Sequence, residues 1–339
     1  MIPTIMVCGK TGVGKTSLVQ AVTHAGTVPD EAISHSEPAT EDFVVYETEA
    51  AQFVDCEGME PGQTVDEYSS FIMDEIIRRL DGDDASKVVH CIWYCISGAV
   101  ARVQSSDARL IRQFSDRVLL VVTKSDCMRK GQVEEMMNVL LDLIPAERVV
   151  LVSSLEKSGL AQLLDKSMEL CADAEDYAEG ELASFRARWD SYYARMRRNW
   201  QDRTNEQADS LINWAAGRAA AIAIMPLPLA DVAPLMANEL YMIYKLGAVY
   251  GYAVDKTVLT MLAGVAGGSI VGKTAASFLP FLKVPIAAAV TYGVGKAAKA
   301  YFESGMTLDV KELKQRFLAA EREAKQTNWN EKKVEEDEP

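Results

Sequence analysis

Gly9-Lys10-Thr11-Gly12-Val13-Gly14-Lys15-Thr16 is the stretch whose reading decides the fold. An apolar run, Thr4-Ile5-Met6-Val7-Cys8, leads into it. Ser17-Leu18-Val19-Gln20-Ala21-Val22 leads out of it with the pattern of a helix. Strand, glycine loop and helix is the setting in which a GxxxxGK[ST] loop holds phosphate. The glycines let backbone N–H groups converge on an anion, and the helix N-terminus adds partial positive charge at the same point. On this reading Gly9, Lys10, Thr11, Gly12, Val13, Gly14, Lys15, Thr16 and Ser17 cradle a nucleotide. Lys15 reaches its β- and γ-phosphates, and the Thr16 hydroxyl holds Mg2+. Gly267-Gly268-Ser269-Ile270-Val271-Gly272-Lys273-Thr274 fits the same pattern, but no strand precedes it. Its setting does not support a phosphate site.

Downstream of the loop, apolar runs alternate with helical patterns. Strands are expected at 43–46, 51–54, 88–96, 118–122 and 149–152, and helices at 65–80, 132–143 and 158–171. Apolar strands alternating with helices imply a mostly parallel sheet covered on both faces. Three polar signals fall at strand ends, where open α/β sheets bind ligands. In Asp55-Cys56-Glu57-Gly58, Asp55 can hold Mg2+ through water and the Gly58 amide can meet the γ-phosphate. In Thr123-Lys124-Ser125-Asp126, the Asp126 carboxylate can accept both N–H donors of the guanine edge, and the Lys124 stem can pack along the base. Ser153-Ser154 follows the last strand, where a loop amide can meet the guanine oxygen. Their order and spacing point to guanine.

Residues 1–172, with GKTGVGKTS, DCEG and TKSD, resemble a translation-factor-type P-loop GTPase domain of the Era-like, septin-like and immunity-related kind. The resemblance implies a six-stranded α/β domain that binds GTP and GDP with Mg2+ and hydrolyses GTP. It also implies a Thr that closes on the γ-phosphate and the metal; Thr40 is the candidate. The family's Gln after DxxG orients the attacking water, and here that place holds Met59. Gly12 stands where potassium-activated relatives carry Asn. Lys10, Glu57, Gln63 and Arg102 are the candidate substitutes, each with the plain alternative of a solvated loop side chain. The expectation is slow intrinsic turnover, raised by a homodimer through this domain or by a partner.

The net charge of −14 is unevenly spread. Residues 1–172 hold 15 basic and 27 acidic side chains, and 173–339 hold 20 and 22. An acidic first half argues against nucleic acid as a partner. Six cysteines without a CxxC, and three histidines without metal spacing, read as a reduced cytoplasmic protein. A strand by residue 4 leaves no room for a signal peptide.

Residues 173–210 are expected to form an amphipathic linker helix, with Phe185, Trp189, Tyr192, Met196 and Trp200 on one face and arginines between. This face either packs on the nucleotide domain or, over 185–200, lies on a membrane surface. Residues 211–305 form a second, all-α domain rich in Ala, Gly and aliphatic residues. Its longest uncharged run, 257–272, falls short of the roughly 20 apolar residues of a spanning helix, although 257–295 suffices for a hairpin against a membrane. Gly264, Gly268, Gly272 and Ala276 make a helix stripe without bulk. PLPLADVAP and the Gly-rich pair resemble the YcjF-type helical domain found after some Era-like GTPases, which implies membrane association more than chemistry. Residues 306–339 read as a charged helix and an acidic tail. Two readings follow: a slow GTPase switching its helical domain, or a GTP-regulated membrane- or partner-anchoring module with little hydrolysis.

Overall fold

A computed structural model gives the fold and describes residues 2–29, 32, 42–80, 88–100, 102–114, 117–128, 132–173, 179–224, 232–265, 280–325, 327 and 329. Two compact units divide the chain. The first takes 1–203 together with Gly251–Ala253, and the second takes the rest.

In the first unit the element order is β1 (Thr4–Gly9), α1 (Lys15–Val22), β2 (Phe43–Glu47), β3 (Gln52–Cys56), α2 (Val65–Leu80), β4 (Val89–Ser97), α3 (Ser105–Gln113), β5 (Val118–Thr123), α4 (Gln132–Leu141), β6 (Val149–Leu151) and α5 (Leu160–Asp173). The strands form one sheet in the order β2-β3-β1-β4-β5-β6. Every pairing is parallel except that of β2 with β3. The result is the expected six-stranded α/β domain. Parallel strands covered on both faces must be apolar throughout, and every residue of β1, β4 and β5 is buried. Chain order reverses beside β1, so the crevice for a ligand opens at its C-terminal end, where the glycine loop begins.

Helix α3 has no counterpart in the sequence reading. Only Leu110 and Ile111 of its nine residues are buried apolar side chains; its start is held instead by a capping box in which Gln104 and Asp107 serve each other's backbone.

A single helix, α6 (Glu179–Ile224), continues past the first unit into the second. On its first part Phe185, Trp189, Tyr193 and Trp200 are buried in the same core as Val7, Trp93, Leu163 and Cys171. Phe185 meets Trp189 edge to face at 5.8 Å between centroids, and Trp189 meets Tyr193 at a tilt at 5.0 Å. The aromatic face of 185–200 is therefore interior to the first unit and is no free membrane-facing surface, while Arg186, Arg188, Arg195 and Arg198 face solvent. Residues Gly251–Ala253 complete this unit at the rim of the sheet. Tyr252 forms an antiparallel bridge with Val150, and the Leu151 N–H donates to the Gly251 carbonyl at 3.1 Å.

The second unit contains the rest of α6, α7 (Val232–Tyr250), α8 (Lys256–Gly264), α9 (Pro280–Glu303) and α10 (Val310–Ala324). Small residues bring its helices close: Ala216, Ala219, Ala220 and Ala223 share a core with Ala287, Ala288 and Ala289. A side chain at Gly295 would run into Ile212 and Met242, and one at Gly293 into Phe317. Of the expected stripe, Gly264 has open space around it, and Gly268, Gly272 and Ala276 lie outside the described residues, as does the second glycine motif. Asp209 binds both Lys296 and Lys299, at 2.9 and 2.8 Å. Among the described residues no helix is long and apolar enough to cross a membrane.

Candidate functional site

The glycine loop leaves β1 through Gly9, at φ 134°, where any side chain would strike the Cys95 carbonyl. The neighbouring strand β4 therefore passes close enough to require glycine. Gly14 caps α1 in the left-handed conformation at φ 99°, which turns the loop back over the helix end. Lys15 is only 7% exposed. Its ammonium donates to the Gly9 and Lys10 carbonyls at 3.3 and 3.2 Å. A buried ammonium held by neutral carbonyls, at a helix N-terminus, is a seat for an anion. Its charge works against the burial that pushes the neighbouring Cys8 thiol up to about 12.

Thr16 follows on the first turn of α1, and its hydroxyl donates to Asp55 Oδ2 at 2.6 Å. Asp55 is the penultimate residue of β3 and is fully buried. A carboxylate and a hydroxyl side by side are the hard oxygen donors that Mg2+ prefers, so these residues fit the ion. Thr40 lies outside the described residues. Among the described residues no group of three His, Cys, Asp or Glu side chains forms a separate metal centre.

The segment after β3 is laid along the loop. Met59 N–H donates to the Gly9 carbonyl at 3.2 Å, Thr11 N–H donates to the Met59 carbonyl at 3.3 Å, and Lys10 and Met59 form a parallel bridge. Gly58 rests against Thr11, where a side chain would overlap the loop backbone. Met59 itself is buried.

Two residues of the Thr123-Lys124-Ser125-Asp126 signal grip the loop from β5. The Thr123 hydroxyl donates to the Val13 carbonyl at 2.5 Å, and Lys124 Nζ donates to the Gly12 carbonyl at 2.9 Å. Lys124 adopts φ 53°, which turns the chain so that Asp126 emerges exposed, with the Cys127 thiol donating to its Oδ2 at 3.2 Å. Ser125 N–H donates to the Val152 carbonyl at 3.1 Å and joins this signal to the end of β6. There Ser153 is buried, with its hydroxyl accepting from Glu156 N–H at 3.0 Å, and Ser154 is half-buried. The structure thus brings the loop, Asp55, Gly58, Thr123, Lys124 and the Ser153 turn to one end of the sheet. Ser17 is half-buried on α1.

The candidate substitutes for the missing Gln part ways. Lys10 binds Asp107 of α3 at 2.9 Å and Gln104 at 2.9 Å. Gln63 accepts from Glu60 N–H at 3.2 Å. Arg102 is exposed. Two further residues belong to the site without a sequence motif to announce them. Asp107, 3% exposed, takes the Lys10 ammonium together with the Tyr94 hydroxyl at 2.9 Å. Tyr68 of α2 places its hydroxyl between Gly9 and Glu57.

With this geometry in view, residues 4–153 match the family described as 50S ribosome-binding GTPase. Residues 190–278 match a domain of unknown function, DUF697. The chain joins a GTP-binding P-loop GTPase domain to a YcjF-type C-terminal domain. Solved structures similar to it include a probable GTP-binding protein engB, at 16% identity over 50% of this chain and 99% of that one, with a TM-score of 0.39. A single-residue variant of Aquifex aeolicus Era bound to GDP.AlF4− is similar at 19% identity and a TM-score of 0.38, over 52% of this chain and 58% of the Era chain. The G domain of the T. maritima FeoB iron transporter is similar at 22% identity and a TM-score of 0.34, over 50% of this chain and 99% of that one. No curated protein matches the sequence.

Proposed function

We propose that this protein is a slow, Mg2+-dependent GTPase whose nucleotide state switches its helical half. The observation that carries this is Lys15: a buried ammonium bonded to two loop carbonyls, beside the Thr16–Asp55 pair. In the bound state Lys15 leaves those carbonyls for the β- and γ-phosphates, and the N–H groups of residues 9–17 surround the anion. Thr16, Asp55 and Thr40 would hold Mg2+, which would supply positive charge to offset that of the phosphates. Gly58 N–H meets the γ-phosphate. Asp126 reads the guanine edge, Lys124 packs along the base, and Ser153 and Ser154 supply the loop beneath its oxygen. Water would then attack the γ-phosphorus in line as the bond to the β–γ bridging oxygen breaks, so that GDP leaves and inorganic phosphate is formed. Met59 offers no group to orient that water and is buried, so turnover is slow until self-association through this domain, or a partner, completes the site.

The domain plan that goes with this reading is a nucleotide domain over 1–172, a linker helix over 173–210, a helical effector domain over 211–305 and a charged tail over 306–339. The protein works in the cytoplasm. A peripheral membrane seat belongs to 257–295, since the aromatic face of 185–200 is already buried. Phosphate release measured across protein concentrations, with and without anionic liposomes, tests the proposal. Turnover per molecule that rises with concentration supports the dimer. Fast turnover independent of concentration defeats the slow-switch reading, and liposomes that neither bind nor alter turnover defeat the membrane seat.

A further inference from the structure

The Tyr68 phenol is 1% exposed, and among the described residues every partner of its hydroxyl is backbone of the nucleotide site. It accepts from Gly9 N–H at 3.0 Å, and its single proton is shared between the Gly9 carbonyl at 3.1 Å and the Glu57 carbonyl at 3.2 Å. Its position is fixed from outside the site. Thr64 and Glu67 form reciprocal hydrogen bonds at the start of α2, and the Phe71 ring, one turn on, stacks on Phe43 at 4.4 Å. Burial and the neighbouring Cys8 and Cys56 push the phenol well above its ordinary range, so it stays a neutral donor.

Two features make this hydroxyl more than a packing contact. The Glu57 carbonyl and the Gly58 N–H are the two ends of one planar trans peptide and point in opposite directions. Whatever fixes the carbonyl therefore aims the N–H. The Gly9 carbonyl, in turn, receives three donors: the phenol, Met59 N–H at 3.2 Å and Lys15 Nζ at 3.3 Å. A carbonyl oxygen has two lone pairs, so the three compete. When a phosphate draws Lys15 away, the Gly9 carbonyl opens to the phenol proton and the hold on Glu57 changes with it.

We propose that Tyr68 is a positioning residue: its hydroxyl aims the Gly58 N–H and couples that aim to whether Lys15 is engaged by phosphate, so that it sets the preference for nucleoside triphosphate over diphosphate. This rests on the guanine-nucleotide reading of the site.

The test is Tyr68→Phe in the full chain, with Tyr193→Phe as the control for losing a buried hydroxyl; among the described residues Tyr193 Oη has no hydrogen-bond partner. Equilibrium binding of GDP and of a non-hydrolysable GTP analogue is measured, together with single-turnover hydrolysis. In Tyr68→Phe the analogue is expected to lose about tenfold in affinity while GDP changes less than about threefold, as loss of one hydrogen bond seen by one ligand only. Hydrolysis at saturating GTP should fall by a similar factor, and Tyr193→Phe should leave all three unchanged. Equal losses for both nucleotides make the hydroxyl a general brace of the loop and overturn the proposal, as does no change in either. Wild-type protein that binds no guanine nucleotide overturns the reading of the site itself, which is a separate result.

Discussion

Asp107→Asn tests how the glycine loop is anchored. The Asp107 carboxylate is nearly enclosed and serves three donors: Lys10 Nζ, the Tyr94 hydroxyl at 2.9 Å and Gln104 N–H at 2.8 Å. The amide variant keeps the shape but has one acceptor oxygen, and it turns two further donors toward the Lys10 ammonium. Removing one partner of a buried ion pair costs about 3–5 kcal/mol. The Lys10 side chain is 24% exposed, so its ammonium can turn to water, which places the cost at about 3 kcal/mol. For a unit of this size that is a fall of about 6–12 °C in the unfolding midpoint. Lys10→Met costs less, about 1 kcal/mol, because the carboxylate keeps its hydroxyl and backbone donors. Thermal unfolding of the full chain and of the two single variants and the double variant gives the coupling directly, expected at about 1–2 kcal/mol. A midpoint within about 2 °C for Asp107→Asn, or a coupling near zero, would show that α3 does not anchor the loop.

Asp126→Asn should weaken GDP binding by about a hundredfold, as two charge-assisted hydrogen bonds to guanine become one neutral bond; unchanged affinity in a competition assay would remove Asp126 from base recognition. Met59→Gln should fail to speed phosphate release and should lower the unfolding midpoint, because the new amide is buried at the Met59 position. Glu239 is buried in the second unit, with its carboxyl pushed up to about 7 by burial against the opposing Thr291 hydrogen bond. Between about pH 4.5 and 7 the folded chain keeps a proton that the unfolded chain has shed, so stability falls as pH rises, by about 3 kcal/mol in all, and levels off above 7. Denaturant unfolding of Glu239→Gln should lose that fall. Trp189→Ala should destabilise the first unit by about 3–5 kcal/mol; a surface-like cost below about 1 kcal/mol would contradict its burial.

The sheet was legible because buried parallel strands must be written in unbroken apolar runs, and the loop because phosphate binding leaves few residue choices at Gly9, Gly14 and Lys15. Helix α3 was not, because it is held by Asp107 and a capping box more than by an apolar stripe. The role of Asp107 was hidden for the same reason: its ion-pair partner, Lys10, lies on the loop after β1, far away in sequence. Tyr68 falls within the helical pattern of 65–80, and only the fold shows what its hydroxyl touches. The reach of α6 was hidden because its burial pattern changes from aromatic rings to alanines partway along, and a change of pattern reads as a boundary.

The bridge between Val150 and Tyr252 has a consequence for biosynthesis. Strand β6 stands at the rim of the sheet, and the segment that covers it is made some fifty residues after the rest of its unit. At ribosomal rates of roughly 5–20 residues per second, β6 waits about 5–20 s, the time to make the roughly one hundred residues between it and Gly251, with its outer hydrogen-bonding groups open. During that interval a neighbouring nascent chain can take the place of Tyr252. Release of the chain at residue 172 or 203 would make the exposure permanent, so soluble, monomeric nucleotide-binding fragments should require residues through Ala253.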